Sequence, residues 1–155
     1  MSFIPSARNK AIQYLAMREH SYLELFRKLT QKGYEDSEVV AALDKLIEDA
    51  LLSDERYGEA FVRSRVSKGY GPLRIQMELR DKGLDEYQIE RSLTSEIIDW
   101  INVLEGVWFK KYSLPLDESA AERARQWRFL QYRGFTPSQI NALYRRLSEQ
   151  SPTVY

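Results

Sequence analysis

Arg65-Val-Ser-Lys-Gly-Tyr-Gly-Pro-Leu-Arg-Ile-Gln-Met-Glu-Leu-Arg-Asp-Lys-Gly83 decides how this chain is read. It joins a basic helix end, a Gly-Tyr-Gly-Pro turn, a second short helix opened by Pro72 and a Lys-Gly stop. The stop recurs along the chain. Gly33, Gly83 and Gly134 stand 50 and 51 residues apart, each directly after a basic residue (Lys32, Lys82, Arg133) and four positions after a leucine (Leu29, Leu79, Leu130). Glycine behind a basic last turn suits a helix C-terminus, where a left-handed residue is needed and the carbonyl ends favour cations. An apolar residue follows each glycine (Tyr34, Leu84, Phe135), and then a candidate N-cap (Asp36, Asp85, Thr136) opens another helix. Its buried stripe is predicted at Val39 and Leu43, Ile89 and Leu93, and Ile140 and Tyr144.

The helices before each stop also have clear starts. Ser21-Tyr-Leu-Glu24 reads as a capping box, Pro72 occupies a first turn, and Asp117 precedes the run Glu118 to Arg133. One more helix lies upstream of each, over about 7–18, 54–68 and 97–112, the last with the stripe Ile97, Trp100, Ile101, Leu104, Val107 and Trp108. The expected fold is therefore all-α: a curved tandem array of three three-helix repeats over 1–52, 53–96 and 97–149, with a tail at 150–155. Such units are too small to bury a full core alone and must stack on their neighbours. Leu29, Leu79 and Leu130 are the candidate core.

Composition narrows the function. Hydrophobic residues make up 43% of the chain, enough for a globular core, and no apolar run approaches the ~18 residues of a membrane span. There is no cysteine, which removes disulfides and thiolate metal sites. No phosphate-loop pattern occurs, and no His/Cys cluster could hold a transition metal. The single histidine, His20, is expected to be partly exposed at a helix end. Asp54-Glu55 and Glu35-Asp36 are explained by helix starts. An enzyme and a cofactor are not expected; a cytoplasmic, monomeric protein is.

Net charge is zero but unevenly placed. Residues 35–59 hold nine acids against two bases, and 63–82 hold six bases against two acids. Residues 85–105 hold six acids against one base, and 108–147 eight bases against three acids. The alternation argues against a uniformly basic nucleic-acid binder and suits a partner surface patterned in both signs; neutralisation between packed helices is the competing explanation. On a helix over 54–68, Phe61, Arg65 and Lys68 fall near one face, while Tyr70 sits between glycines in a turn. With Arg74 and Lys82 these residues could form a basic, aromatic surface for DNA phosphates or an acidic protein patch. Alternatively, Arg65 is an internal ion pair and Tyr70 a plug between helices. In the third repeat Lys111, Arg125, Arg128 and Arg133 are candidates for the same role, with a solvated helix face as the alternative.

Phe61-Val-Arg-Ser-Arg65, Lys68-Gly-Tyr-Gly-Pro-Leu-Arg-Ile75, Glu78-Leu79 and Lys82-Gly83 resemble the signature of the bacterial regulatory protein RecX family. Leu15-Ala-Met-Arg18, Ser21, Leu25 and Lys28-Leu29 are similar to its first repeat, and Phe129-Leu-Gln-Tyr-Arg-Gly-Phe135 to its third. The likeness covers roughly residues 8–148. It implies a modulator of the RecA recombinase that binds the RecA nucleoprotein filament and generally inhibits strand exchange and ATP hydrolysis, a place in DNA repair, recombination and the SOS response, and weak binding of single- or double-stranded DNA by some members. By position, Arg65, Lys68, Tyr70, Arg74 and Lys82 are the residues onto which partner contact would carry.

Overall fold

The computed structural model describes residues 3–151. Among them the chain forms nine helices and no strand: α1 (Ala7–Met17), α2 (Tyr22–Gln31), α3 (Asp36–Glu48), α4 (Asp54–Ser67), α5 (Pro72–Asp81), α6 (Glu86–Thr94), α7 (Trp100–Lys111), α8 (Ala120–Tyr132) and α9 (Pro137–Gln150). They fall into three repeats of three. Of the expected tail, Gln150 closes α9, and the part beyond Ser151 lies outside the described residues.

One backbone device ends the middle helix of every repeat. Gly33, Gly83 and Gly134 have φ of 99°, 92° and 101°. The following amide turns back to the buried leucine, from Tyr34 to the Leu29 carbonyl (3.2 Å), Leu84 to Leu79 (3.2 Å) and Phe135 to Leu130 (3.3 Å). This is the Schellman arrangement, and a side chain at the glycine would be strained in it. The three leucines thus serve twice, as wholly buried side chains and as acceptors for the turn. The predicted stripes at Val39, Leu43, Ile89, Leu93, Ile140 and Tyr144 are buried as well.

Ser21, Asp85 and Thr136 each form a full capping box. Three expected starts shift. Glu35 rather than Asp36 is the N-cap of α3, and its side chain makes no cap bond, so Asp36 instead adds negative charge to the first turn. Ser119 caps α8 by accepting from the Glu122 amide, while Asp117 accepts from the Ser119 amide one step earlier. Asp99 caps α7, which leaves Ile97 outside the helix and fully exposed instead of in the predicted stripe. His20 also differs from expectation: it is buried, not partly exposed. Its Nδ1 donates to the Arg18 carbonyl (3.0 Å), and its Nε2 accepts from Lys28 Nζ (2.9 Å). Burial holds its pKa below the ordinary histidine value, consistent with this neutral ring.

The helices gather into two compact units that do not follow the repeat boundaries. Among the described residues, the first takes those up to Phe61 together with Glu78–Ser95, and the second Val62–Met77 together with those from Glu96 onward. Within the first, Ala7, Ala11, Leu25, Leu29, Val39, Leu43, Leu46 and Leu52 form a continuous core. Within the second, Trp108, Leu130, Phe135, Ile140, Leu143 and Leu147 pack together. Gln126 is buried among them and accepts from both Trp108 Nε1 (3.0 Å) and the Tyr144 hydroxyl (2.7 Å), so neither polar group of those aromatics is left unmet.

Leu79→Ala removes a wholly buried side chain and is expected to lower unfolding free energy by about 2–5 kcal/mol in urea titration. The half-exposed neighbour Met77 provides the control: Met77→Ala should stay within about 0.5 kcal/mol of the parent.

Candidate partner-binding surface

Each unit contains one place where the start of a middle helix lies on the glycine turn of the following repeat. In the first unit Leu23 of α2 meets the α5–α6 turn; a β-carbon on Gly83 would stand 2.8 Å from Leu23 Cβ. In the second unit the start of α5 meets the α8–α9 turn. There the Gly71 amide donates to the Arg133 carbonyl (2.8 Å) and the Leu73 amide to the Gly134 carbonyl (2.9 Å). A β-carbon on Gly71 would stand 2.5 Å from the Gly134 backbone, so any side chain at residue 71 would force the two segments apart.

The two junctions use equivalent positions with opposite chemistry. The 50- and 51-residue spacings match His20 with Tyr70, Glu24 with Arg74, and Lys82 with Arg133. At the first junction Glu24 is a carboxylate enclosed by its own cations. Arg18 donates to both its oxygens (3.2 and 3.0 Å), the Ser21 amide donates at 3.1 Å, and Lys82 Nζ lies 3.6 Å away. Burial alone would raise the Glu24 pKa, but the Arg18 and Ser21 hydrogen bonds and the charges of Arg18 and Lys82 outweigh it and bring the carboxyl down to about 2.

At the second junction three guanidiniums converge on one ring. Arg65 and Arg74 lie 4.5 Å, and Arg133 5.0 Å, from the centre of Tyr70. The pattern continues on both sides. Arg74 also covers Tyr132 (5.1 Å), Arg133 also covers Phe129 (5.4 Å), and Lys111 lies over Phe129 at 3.9 Å. The result is a ladder in which cations and aromatic faces alternate: Tyr132, Arg74, Tyr70, Arg133, Phe129, Lys111. Each contact is worth about 0.5–1 kcal/mol at an exposed site. Backbone bonds fix two of the rungs: Arg133 Nη1 donates to the Lys68 carbonyl (3.2 Å) and Arg74 Nη1 to the Tyr132 carbonyl (3.4 Å). A guanidinium stacked flat on an aromatic face retains in-plane N–H donors suited to phosphate or carboxylate.

The structure therefore brings Arg65, Tyr70, Arg74, Arg133 and Lys111 into one array, with the exposed Lys68 side chain beside it in the sequence. Lys82 stands apart, in the first unit, on Glu24. Arg125 is exposed and paired with Glu122 (3.1 Å), and Arg128 is exposed on α8. Sequence reasoning passed over Tyr132, which is 75% exposed. The signal was its register: the residue two before the C′ glycine is Gln31 and Asp81 in the other repeats and aromatic only here. Among the described residues no helix is long and apolar enough to cross a membrane.

Three family models match the chain in order: RecX, first three-helix domain, over residues 7–46; RecX, second three-helix domain, over 53–93; and RecX, third three-helix domain, over 99–144. The chain is 45% identical over 138 residues to the regulatory protein RecX of Pseudomonas entomophila (strain L48), covering 89% of each. It is 44% identical over 144 residues to that of Ectopseudomonas mendocina (strain ymp), covering 93% of this chain and 96% of the relative. The crystal structure of RecX from Lactobacillus salivarius has the same fold, with a TM-score of 0.77 at 23% identity over 92% of this chain and 95% of the other.

The pH response of the Glu24 cluster has a defined sign. A folded pKa of about 2, against an ordinary value of 4.5, means that the folded protein binds fewer protons than the unfolded one between these limits. The stabilisation is complete above pH 4.5 and is lost as pH falls towards 2. In thermal melts, Glu24→Gln should melt below the parent at pH 7, and the gap should close as pH approaches 2.

Proposed function

The chain belongs to the RecX family of regulatory proteins, and on that premise we propose that it is a non-enzymatic modulator, mainly an inhibitor, of the RecA recombinase. In this reading it acts as a cytoplasmic monomer that binds the RecA nucleoprotein filament and limits strand exchange, ATP hydrolysis and filament growth. Its three repeats (1–52, 53–96 and 97–149) present successive surfaces to a repeating partner, where weak contacts add by avidity.

The observation that carries the contact assignment is the cation–aromatic ladder of the second unit. It holds four of the candidate residues, with Arg65 a fifth on the Tyr70 ring, and it replaces the self-neutralised carboxylate that occupies the equivalent junction of the first unit. A filament of protein and nucleic acid offers carboxylates and phosphates along its length, and arginine guanidiniums can take either.

Substoichiometric protein is expected to slow ATP turnover by RecA on single-stranded DNA; a folded sample without effect at any ratio would end this proposal. Lys68→Glu with Arg74→Glu should raise the half-inhibiting concentration about tenfold or more. Lys68→Glu alone, at an exposed side chain, should leave the melting temperature unchanged and so separate contact from fold.

A second reading, direct binding of DNA, is favoured by one feature: Tyr132 is exposed and lies under a guanidinium, which suits stacking of an unpaired base. If Arg74, Arg133 and Lys111 each neutralise one phosphate, the logarithm of affinity for a single-stranded oligonucleotide should fall against the logarithm of salt with a slope of about −2. Undetectable affinity at low salt without RecA removes this reading and leaves the first untouched.

A further inference from the structure

The glycine turn of the first repeat is the same structure as the other two, but no helix among the described residues lies on it. At Gly83 and Gly134 the space a β-carbon would need is taken by Leu23 and Arg74 of the preceding repeat. At Gly33 nothing among the described residues stands within 4 Å of that position. In its place is a groove of about 410 Å³ lined by Ile4, Pro5, Lys10, Lys32, Gly33 and Tyr34. The groove wall is fixed, because the Tyr34 hydroxyl donates to the Pro5 carbonyl at 2.6 Å. Its rim is apolar, with Ile4 76% exposed.

The occupied turn in the same unit shows what such a groove accepts. There Leu23 covers the glycine, and the next residue, Glu24, reaches the lysine before it, Lys82. Lys32 is the counterpart of Lys82, is exposed, and shares the groove with a second cation, Lys10. We propose that the Lys32–Gly33 turn is a docking site for the start of a helix from another protein, one carrying a large aliphatic residue followed by a carboxylate. Charge argues against a second copy of this chain continuing the array. Its third-repeat residues in the Leu23 and Glu24 register are Ala124 and Arg125, which would set a small side chain on the glycine and a guanidinium against Lys32. Its one Leu-Glu helix start of this register, in α2, is already seated on Gly83. The site is separate from the ladder and does not depend on the reading of the ladder as a filament contact.

The test is an amide-shift NMR titration of the full chain with a capped, lactam-stabilised helical peptide copying residues 19–32, which carries the Leu23-Glu24 pair. Saturable shifts at Lys32, Gly33 and Tyr34 are expected. Glu24→Lys in the peptide, or Lys32→Glu in the chain, should weaken binding about fivefold or more, and combining the two should restore it. No saturable shift at Gly33 would overturn the proposal. So would affinity indifferent to both charge reversals, or shifts confined to the Gly83 turn, which would mean that the peptide only displaces the chain's own α2.

Discussion

Two backbone hydrogen bonds, from Gly71 and Leu73 to the carbonyls of Arg133 and Gly134, set the geometry on which the second unit depends. They bring the start of α5 and the end of α8 closer than any β-carbon at residue 71 would permit. Tyr70 and Arg74 flank this contact, one residue before Gly71 and one after Leu73, while Arg133 is part of it. The ladder is therefore a consequence of main-chain docking, with its side chains placed by the segments that meet there.

The first unit solves the same docking problem with different forces. Its contact is an aliphatic side chain on a glycine, reinforced by the Glu24 ion cluster and by Arg27 donating to the Asp81 carbonyl (3.2 Å). A carboxylate between an arginine and a lysine is satisfied from within and has little left to offer a partner. At the equivalent positions the second unit has arginines set against aromatic rings.

Much of the fold was legible because its punctuation is local. A C′ glycine, a basic last turn and a leucine four residues earlier all follow from how a single helix ends, so the spacing of Gly33, Gly83 and Gly134 could be read without any tertiary knowledge. Starts were less legible where two capping residues compete within a few positions, as at Glu35 and Asp36 or at Asp117 and Ser119. His20 and Gln126 were not legible as buried groups, because their partners Lys28, Trp108 and Tyr144 lie eight or eighteen residues away and polar burial depends on such pairings. The site was half legible. Arg65, Tyr70 and Arg74 stand close in sequence, whereas Arg133 and Lys111 join them only through the backbone docking described above. Lys82, which sequence proximity groups with Arg74, is turned by the same repeat geometry to a different junction.

The contrast between the junctions bears on why the second one is cationic at all. A glutamate in place of Arg74 beside Arg133 would repeat the carboxylate–cation pairing that Glu24 and Lys82 make in the first unit. The sequence instead places arginines at both positions and sets them against aromatic faces, each such contact contributing about 0.5–1 kcal/mol at an exposed site. Places where a chain departs from the locally most stabilising choice, while an equivalent position in the same molecule makes that choice, are where function rather than folding sets the residue. By that criterion the proposed partner contact rests on Arg74 and Arg133 rather than on Lys82, although all three occupy the same structural turn or the helix start packed against it.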